Sequence, residues 1–206
     1  MPLKTSQPMK KRKAVIAIAG AAFLALLLPL VIISFMPTRD SAAADSTPSA
    51  FSIAADGNYI ACQAEGQCSA YAAAYVMRSL GRQVNGGDIY PSIQRTFGFV
   101  SPKSLANVLT KYGYSAKAYY GDIGTVKKRV SEGIPVIVFI SIPNDTHYAV
   151  ITGYDEQYLY LADSLPENSN CSEQWYNRKV SADEFMELWK TNTILPDNIY
   201  IVVKPQ

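Results

Sequence analysis

A run of 23 residues without a charged side chain, from Ala14 to Met36, constrains the folding of this 206-residue chain more than any other feature. At a rise of about 1.5 Å per residue, a helix of this length crosses a hydrocarbon core about 30 Å thick. Residues 1–13, which precede the run, carry five positive charges and no negative charge. Because basic residues beside a membrane segment remain in the cytoplasm, we expect the rest of the chain on the outer side of a membrane.

The apolar run at 14–36 has two interpretations. It is either a retained transmembrane signal anchor behind a cytoplasmic basic segment at 1–13, or a signal peptide that is removed after export. Ala42, Ala43 and Ala44 fit the small-residue pattern of a cleavage site, although 23 apolar residues exceed the usual signal-peptide length. The first interpretation predicts a single-pass cell-membrane protein with an extracellular C-terminal domain, and the second predicts a secreted domain.

The part after the apolar run has the composition of one acidic domain behind a linker. Residues 37–58 are rich in Ser, Ala, Thr and Asp without a sustained apolar pattern, which is typical of a linker. Residues 59–206 have the usual size of a single domain. Five of the 19 basic residues lie in 1–13. The rest of the chain therefore has 14 basic and 17 acidic residues, a net charge of about −3. This balance argues against nucleic-acid binding, which needs a basic surface.

The hydrophobic pattern of the domain predicts an α+β fold, with N-terminal helices packed on an antiparallel sheet. Helical spacing covers 69–80, 88–96, 101–112, 122–132 and 181–191. Alternating or continuous apolar runs predict strands at 114–120, 134–142, 148–152, 158–162, 175–180 and 198–203. Because only five residues separate the strands at 148–152 and 158–162, we expect these two to form a β-hairpin.

Cys68 lies where a Gly-containing loop meets the Ala-rich helix predicted at 69–80. The unpaired N–H groups and partial positive charge of a helix N-terminus stabilise a thiolate at this position. A thiolate attacks a carbonyl carbon, whereas a thiol barely does so. Cys68 is therefore the candidate catalytic nucleophile, and its simpler interpretation is a small buried apolar residue.

Three other side chains fit the remaining roles of a thiol hydrolase. His147 is the one histidine of the chain, so it is the candidate general base. Asp163 follows the second strand of the predicted hairpin, where it can accept a hydrogen bond from the other ring nitrogen. Gln63 can aim its side-chain amide at an oxyanion beside the Cys68 backbone N–H, and Gln67 is the alternative. Each residue taken singly also fits an ordinary solvated or capping role.

Cys62 and Cys171 bring the cysteine count to three, so at least one thiol is free. A disulfide between these two leaves Cys68 usable, and three reduced thiols are the alternative. One histidine and three scattered cysteines lack the ligand spacing of a zinc site. We therefore expect no metal and no cofactor.

Several segments together resemble the bacteriocin-processing peptidases that act on double-glycine leaders, which are papain-like cysteine peptidases. These segments are 63–68, the helix after it with Tyr71, Tyr75 and Arg78, 135–138, 147–150, 153–155 and 161–163. The likeness covers roughly 59–164, and the tail through Phe185 and Trp189 resembles exported, stand-alone relatives. It implies a papain-like fold with Cys68 as nucleophile, His147 as general base, Asp163 as the orienting residue and Gln63 in the oxyanion hole.

The chain also departs from this family pattern. Ser69 follows Cys68 where glycine is common, Ser164 follows Asp163 where proline is common, and Gln63 is one position closer to the cysteine than usual. Leader peptidases of the family face the cytoplasm on a transporter, whereas this domain is expected to face outward. Cleavage of double-glycine leaders is therefore not assigned to it.

These observations predict an exported, membrane-anchored cysteine peptidase that hydrolyses a peptide or protein through a Cys-His-Asp triad and a thioester acyl-enzyme. The same residues also fit a papain-like acyl transferase or a cell-wall amidase. A papain-like module that binds peptides without cleaving them is the non-enzymatic alternative, because a fold does not guarantee a function.

Overall fold

The structure, a computed structural model, describes residues 36–42 and 47–206, and before them only Ile16, Ile18, Gly20, Phe23 and Ala25, which are helical. The chain divides into two units, Met1–Met36 and Pro37–Gln206. Most of the predicted membrane segment, and two of the three alanines of the predicted cleavage site, lie outside the described residues. Among the residues that are described, no helix is both long and apolar enough to span a membrane.

The second unit contains five α-helices and eight strands within its described residues. The helices are α1 (Cys68–Ser79), α2 (Gly86–Ile89), α3 (Pro102–Lys111), α4 (Ile123–Ser131) and α5 (Ala182–Leu188). The strands are β1 (Thr38–Arg39), β2 (Phe51–Ser52), β3 (Tyr114–Tyr120), β4 (Val136–Ile142), β5 (Asp145–Tyr154), β6 (Tyr158–Ala162), β7 (Arg178–Ser181) and β8 (Ile199–Pro205).

All eight strands belong to one sheet with the order β1-β3-β8-β4-β5-β6-β7, and β2 pairs with the end of β5. The short β1 is parallel to β3, and the other pairs are antiparallel. The predicted hairpin is present as β5 and β6, which pair Val150 with Ala162 and carry a bulge between Ile151 and Gly153. The predicted α+β class is thus confirmed.

Helices cover both faces of this sheet because its central strands are apolar on both sides. In β4, Ile137 and Phe139 join the cluster that contains α1 and α3, whereas Val138 joins the cluster that contains α4 and α5. The continuous apolar run that predicted a buried strand at 134–142 therefore reflects burial on two faces.

Helix α1 is the centre of the first layer. Ala70, Ala73 and Ala74 have no accessible surface, and Ala72 has 4%. Their small side chains let the helix pack closely against β4 and β5. The helix ends before Gly81, which takes a φ of +86° that few other residues adopt readily.

Arg78, near the end of α1, holds the segment that leads to the nucleophile. Its guanidinium is buried and donates hydrogen bonds to the Asn58 Oδ1 at 3.0 Å, the Tyr59 carbonyl at 2.7 Å and the Val84 carbonyl at 2.9 Å. The same group stacks on the Tyr59 ring at 4.0 Å. Residues 58 and 59 are thereby fixed against the helix that begins with Cys68.

Two parts of the predicted linker at 37–58 pack on the sheet through β1 and β2. The buried Asp40 accepts hydrogen bonds from Arg129 Nη2 at 2.7 Å and Arg129 Nε at 2.9 Å, and from the Tyr200 hydroxyl at 2.6 Å. The Tyr154 hydroxyl donates to the Pro48 carbonyl at 3.1 Å. These contacts attach residues 40 and 48 to the domain.

The structure corrects two predicted elements. The helix predicted at 88–96 begins at Gly86, because Asn85 and not Asp88 is its N-cap, and it ends as a 3₁₀ turn at Tyr90–Ser92. Beyond it, Phe97 and Gly98 have positive φ angles and form a tight turn that a helix cannot contain. The strand predicted at 175–180 begins only at Arg178.

Candidate active site

Cys68 is the first residue of α1, as the sequence predicted, and Gln67 is its N-cap. Helix geometry leaves the first backbone N–H groups, including that of Cys68, without partners inside the helix. The Cys68 side chain is only partly buried. The thiol is therefore both accessible and close to hydrogen-bond donors.

His147 lies in β5 and is joined to Asp163, which directly follows β6. The His147 Nε2 donates to the Asp163 Oδ1 at 2.6 Å, and both side chains are almost completely buried. Because β5 and β6 are neighbours in the sheet, the hairpin brings together two residues that are 16 positions apart in the chain. With Nε2 bound to the carboxylate, Nδ1 is the ring nitrogen that remains for another partner.

Cys68 is the partner predicted from the sequence for this nitrogen. Burial by itself lowers the pKa of His147, but the hydrogen bond with Asp163 and the nearby Cys68 thiol outweigh it and raise the pKa to about 9. An imidazole with this pKa is protonated at neutral pH. The arrangement therefore favours an imidazolium ring held by the Asp163 carboxylate.

Asp163 is held by more donors than the sequence predicted. Its Oδ1 also accepts from the Leu165 N–H at 3.0 Å, and its Oδ2 accepts from Asn168 Nδ2 at 3.0 Å and Arg178 Nη1 at 3.1 Å. Burial alone raises the pKa of Asp163, but the hydrogen bonds from His147, Leu165 and Asn168 lower it overall. The carboxylate is therefore ionised and fixed in orientation.

Asn177 holds the backbone of Asp163 from the other side. Its Oδ1 accepts from the Asp163 N–H and its Nδ2 donates to the Asp163 carbonyl, both at 2.8 Å. Sequence reasoning missed Asn168, Asn177 and Arg178 because they belong to a polar loop and a short strand without a motif. Their only sequence signal is the density of polar side chains shortly after Asp163.

Gln63 is bound to the residue after Asp163. The Gln63 N–H donates to the Ser164 carbonyl at 2.9 Å, and the Gln63 Oε1 accepts from the Ser164 hydroxyl at 2.8 Å. Because its oxygen is turned toward Ser164, the Gln63 side-chain nitrogen is turned away from it. Gln67, the alternative, directly precedes Cys68 and is half-buried.

A cleft of about 110 Å³ lies beside Cys68. Its walls include the aromatic rings of Phe99, Phe139 and Tyr148, together with Asp145 at the rim. The Tyr148 hydroxyl donates to the Val100 carbonyl at 2.8 Å and so joins the loop at 98–100 to the strand of His147. The cleft provides space for part of an extended ligand next to the thiol.

The other two cysteines are free thiols in the structure, with Cys62 exposed and Cys171 partly buried. The Cys62–Cys171 disulfide therefore stays a prediction, which free-thiol mapping of non-reduced protein tests directly. Among the described residues, no group of three or more His, Cys, Asp or Glu side chains has the arrangement of a metal site.

This combination of a cysteine at the head of a central helix and a histidine–aspartate pair on the adjoining antiparallel strands places the fold in the papain-like class of cysteine peptidases. Within that class, the chain belongs to the Peptidase_C39 like family, whose model matches residues 56–193. The resemblance stated from the sequence is thereby confirmed. No curated protein sequence is significantly similar to the chain.

Solved structures with a similar fold include three described as peptidases or proteases. The peptidase domain of Streptococcus ComA, a bi-functional ABC transporter in a quorum-sensing pathway, is 14% identical with a TM-score of 0.56, over 72% of this chain and 98% of that one. A double-glycine-motif protease from an AMS/PCAT transporter, in complex with the leader peptide, is 18% identical with a TM-score of 0.54, over 74% of this chain and 97% of that one. Xylellain, a cysteine protease of Xylella fastidiosa, is 14% identical with a TM-score of 0.57, over 84% of this chain and 91% of that one.

Proposed function

We propose that the chain is a cysteine peptidase in which Cys68, His147 and Asp163 form the catalytic triad. The observation that carries this proposal is the buried pair of His147 and Asp163, whose Nε2 and Oδ1 lie 2.6 Å apart, together with Cys68 at the first position of α1. A buried carboxylate fixes the ring tautomer and stabilises the imidazolium, as the orienting residue of a triad must. The partly exposed sulfur at the edge of a cleft has the access that a nucleophile needs.

In the proposed reaction, the Cys68 thiolate attacks the carbonyl carbon of a peptide bond and forms a tetrahedral intermediate. The His147 imidazolium then gives its proton to the leaving amine as the C–N bond breaks, which leaves a thioester on Cys68. Neutral His147 next takes a proton from water, and the water oxygen attacks the thioester carbonyl carbon. The C–S bond then breaks, which releases the acid and restores the pair of Cys68 thiolate and His147 imidazolium.

Gln63 and the Cys68 backbone N–H are the proposed oxyanion donors. The hydrogen bond from Ser164 fixes the Gln63 amide so that its nitrogen points away from Ser164. Preorganised donors of this kind stabilise the developing negative charge without reorganisation. Ser164, which replaces the proline common in the family, thus supports the Gln63 assignment.

The substrate class we propose is a peptide or protein that enters the cleft beside Cys68. A relative bound to a leader peptide supports peptide binding by this fold. The location we propose is the outer side of a membrane, either anchored through 14–36 or secreted, and it rests on the basic residues of 1–13 and the uncharged run that follows.

The test is hydrolysis of a library of fluorogenic peptides by the wild-type domain and by C68A and H147A. We expect hydrolysis by the wild type and at least about a 10³-fold loss in both variants, since both residues of a nucleophile–base pair are required. Adding an amine acceptor separates acyl transfer from hydrolysis, and purified peptidoglycan as substrate separates a wall amidase. Unaltered peptide after binding to the wild-type protein supports the non-catalytic module instead.

A further inference from the structure

Arg178 is a buried cation that binds Asp163, the carboxylate that also holds His147. Its Nη1 lies 3.1 Å from the Asp163 Oδ2, and the two side chains are 9% and 0% exposed. The opposite oxygen of the same carboxylate accepts from His147. With Cys68 as a thiolate, as the proposed function requires, negative and positive charges alternate from Cys68 through His147 and Asp163 to Arg178.

The alternation matters because three of the four groups, His147, Asp163 and Arg178, are buried. A thiolate, an imidazolium and a carboxylate alone carry a net charge of −1, and burying an uncompensated charge is costly. The guanidinium brings the sum to zero. The guanidinium also offsets part of the negative charge of Asp163, and so it limits how far that carboxylate raises the pKa of His147.

The fold places Arg178 there by strand pairing. Arg178 opens β7, opposite Leu161 of β6, two residues before Asp163. The neighbouring Lys179 makes different contacts, with its ammonium over the Tyr158 ring at 4.0 Å. The two adjacent cations therefore have separate environments, and only Arg178 contacts the carboxylate.

On the basis of the proposed function, we propose that Arg178 is a positioning residue whose positive charge offsets Asp163 and sets the pH range in which Cys68 and His147 form an ion pair. The charged and titratable groups around this pair come from every neighbouring element. Asp163 lies beside the ring, and Arg178 lies beside Asp163. Asp145 and Tyr148 line the cleft next to Cys68, and Cys62 and Glu173 line a second cavity that Asp163 also borders.

The sign of the effect follows from charge alone. Removing a positive charge makes every nearby proton harder to remove, so the imidazolium persists to higher pH. The alkaline limb of the pH profile, where His147 loses its proton, is therefore expected to move to higher pH.

The experiment measures the rate of Cys68 alkylation by iodoacetate against pH, which requires no substrate. Because the imidazolium attracts this anionic reagent, the rate falls on an alkaline limb as His147 loses its proton. R178Q is expected to move the alkaline limb upward by about half to one pH unit, and R178K, which keeps the charge, is expected to restore most of the wild-type profile. K179Q removes the same charge one residue away and is expected to move neither limb. A peptidase assay of the wild type reports on the proposed function separately.

The proposal is overturned if R178Q leaves the alkaline limb unshifted, or if R178K shifts it as much as R178Q does. Either result gives Arg178 a purely structural role. N168D provides a second route if R178Q does not fold. It adds a negative charge beside the same Asp163 oxygen and retains Arg178. The proposal predicts an upward shift of the alkaline limb in N168D as well, and an unchanged limb there contradicts it.

Discussion

The Nε2 of His147 lies 2.6 Å from the Oδ1 of Asp163, and the two side chains are 1% and 0% exposed. Such a short contact in a buried site keeps the ring in one tautomer and one orientation. It leaves the other ring nitrogen free of the carboxylate, and Cys68, the proposed partner of that nitrogen, is the first residue of a helix in a different layer of the fold. The proposed site therefore combines the hairpin β5–β6 with the N-terminus of α1.

Replacement of Asp163 by asparagine tests the orienting role. D163N keeps the shape but presents either an amide donor or a neutral acceptor to His147, so the imidazolium loses its stabilising charge. We expect kcat/KM for a peptide substrate to fall by about 10² to 10⁴-fold. D183N, which changes an exposed aspartate of α5, is the matched control and is expected to retain wild-type activity.

The pKa of His147 predicts a pH dependence of stability. Because the folded-state pKa is raised from 6.5 to about 9, the folded protein binds this proton more tightly than the unfolded chain does. The resulting stabilisation, roughly 3 kcal/mol, is fully present below pH 6.5 and is lost as the pH rises to about 9.

Urea unfolding at intervals between pH 6 and pH 10 measures this dependence. The wild-type free energy of unfolding is expected to fall across the window, and that of H147Q is expected to fall much less. Equal slopes in the two proteins contradict the assignment of the raised pKa to His147.

Gln63 is the proposed side-chain donor of the oxyanion hole, and Gln67 is the alternative. Q63A is expected to lower kcat by about 10² to 10³-fold with little change in KM, because an oxyanion donor acts mainly in the transition state. Q67A is expected to cost far less. Steady-state kinetics of both variants decide the matter, and a larger loss of kcat in Q67A reverses the assignment.

Arg78 is expected to matter for stability more than for chemistry. R78M leaves the carbonyls of Tyr59 and Val84 without their side-chain donor and removes one of the two donors to the Asn58 Oδ1, which keeps the Tyr59 N–H. We expect a loss of about 2 to 4 kcal/mol in the free energy of unfolding, measured with denaturant. R82M removes an exposed arginine that follows the same helix and is expected to change stability by no more than about 0.5 kcal/mol.

Much of this site could be predicted from the sequence because its core residues depend on local structure. The helix that starts at Cys68 follows from alanine spacing and from Gly81, and the hairpin that joins His147 to Asp163 follows from two apolar runs around a short turn. Strong local patterns of this kind survive in the final fold.

The remainder depends on contacts that local patterns do not encode. Arg178 and Asn177 reach Asp163 only after β7 pairs with β6, and the strand predicted at 175–180 did not indicate which strand it pairs with. Ser164 looked like a departure from the family, and its hydroxyl orients Gln63 through a side-chain contact that spacing cannot predict. The polar supports of an active site are thus less predictable than its reacting groups.

The most direct measurement compares the alkylation rates of the three cysteines by mass spectrometry of reduced protein at pH 6. An ion pair with His147 predicts that Cys68 reacts much faster than the more exposed Cys62, and that H147Q removes this advantage. A Cys68 that reacts no faster than Cys62, or that reacts equally fast in H147Q, contradicts the proposed thiolate–imidazolium site.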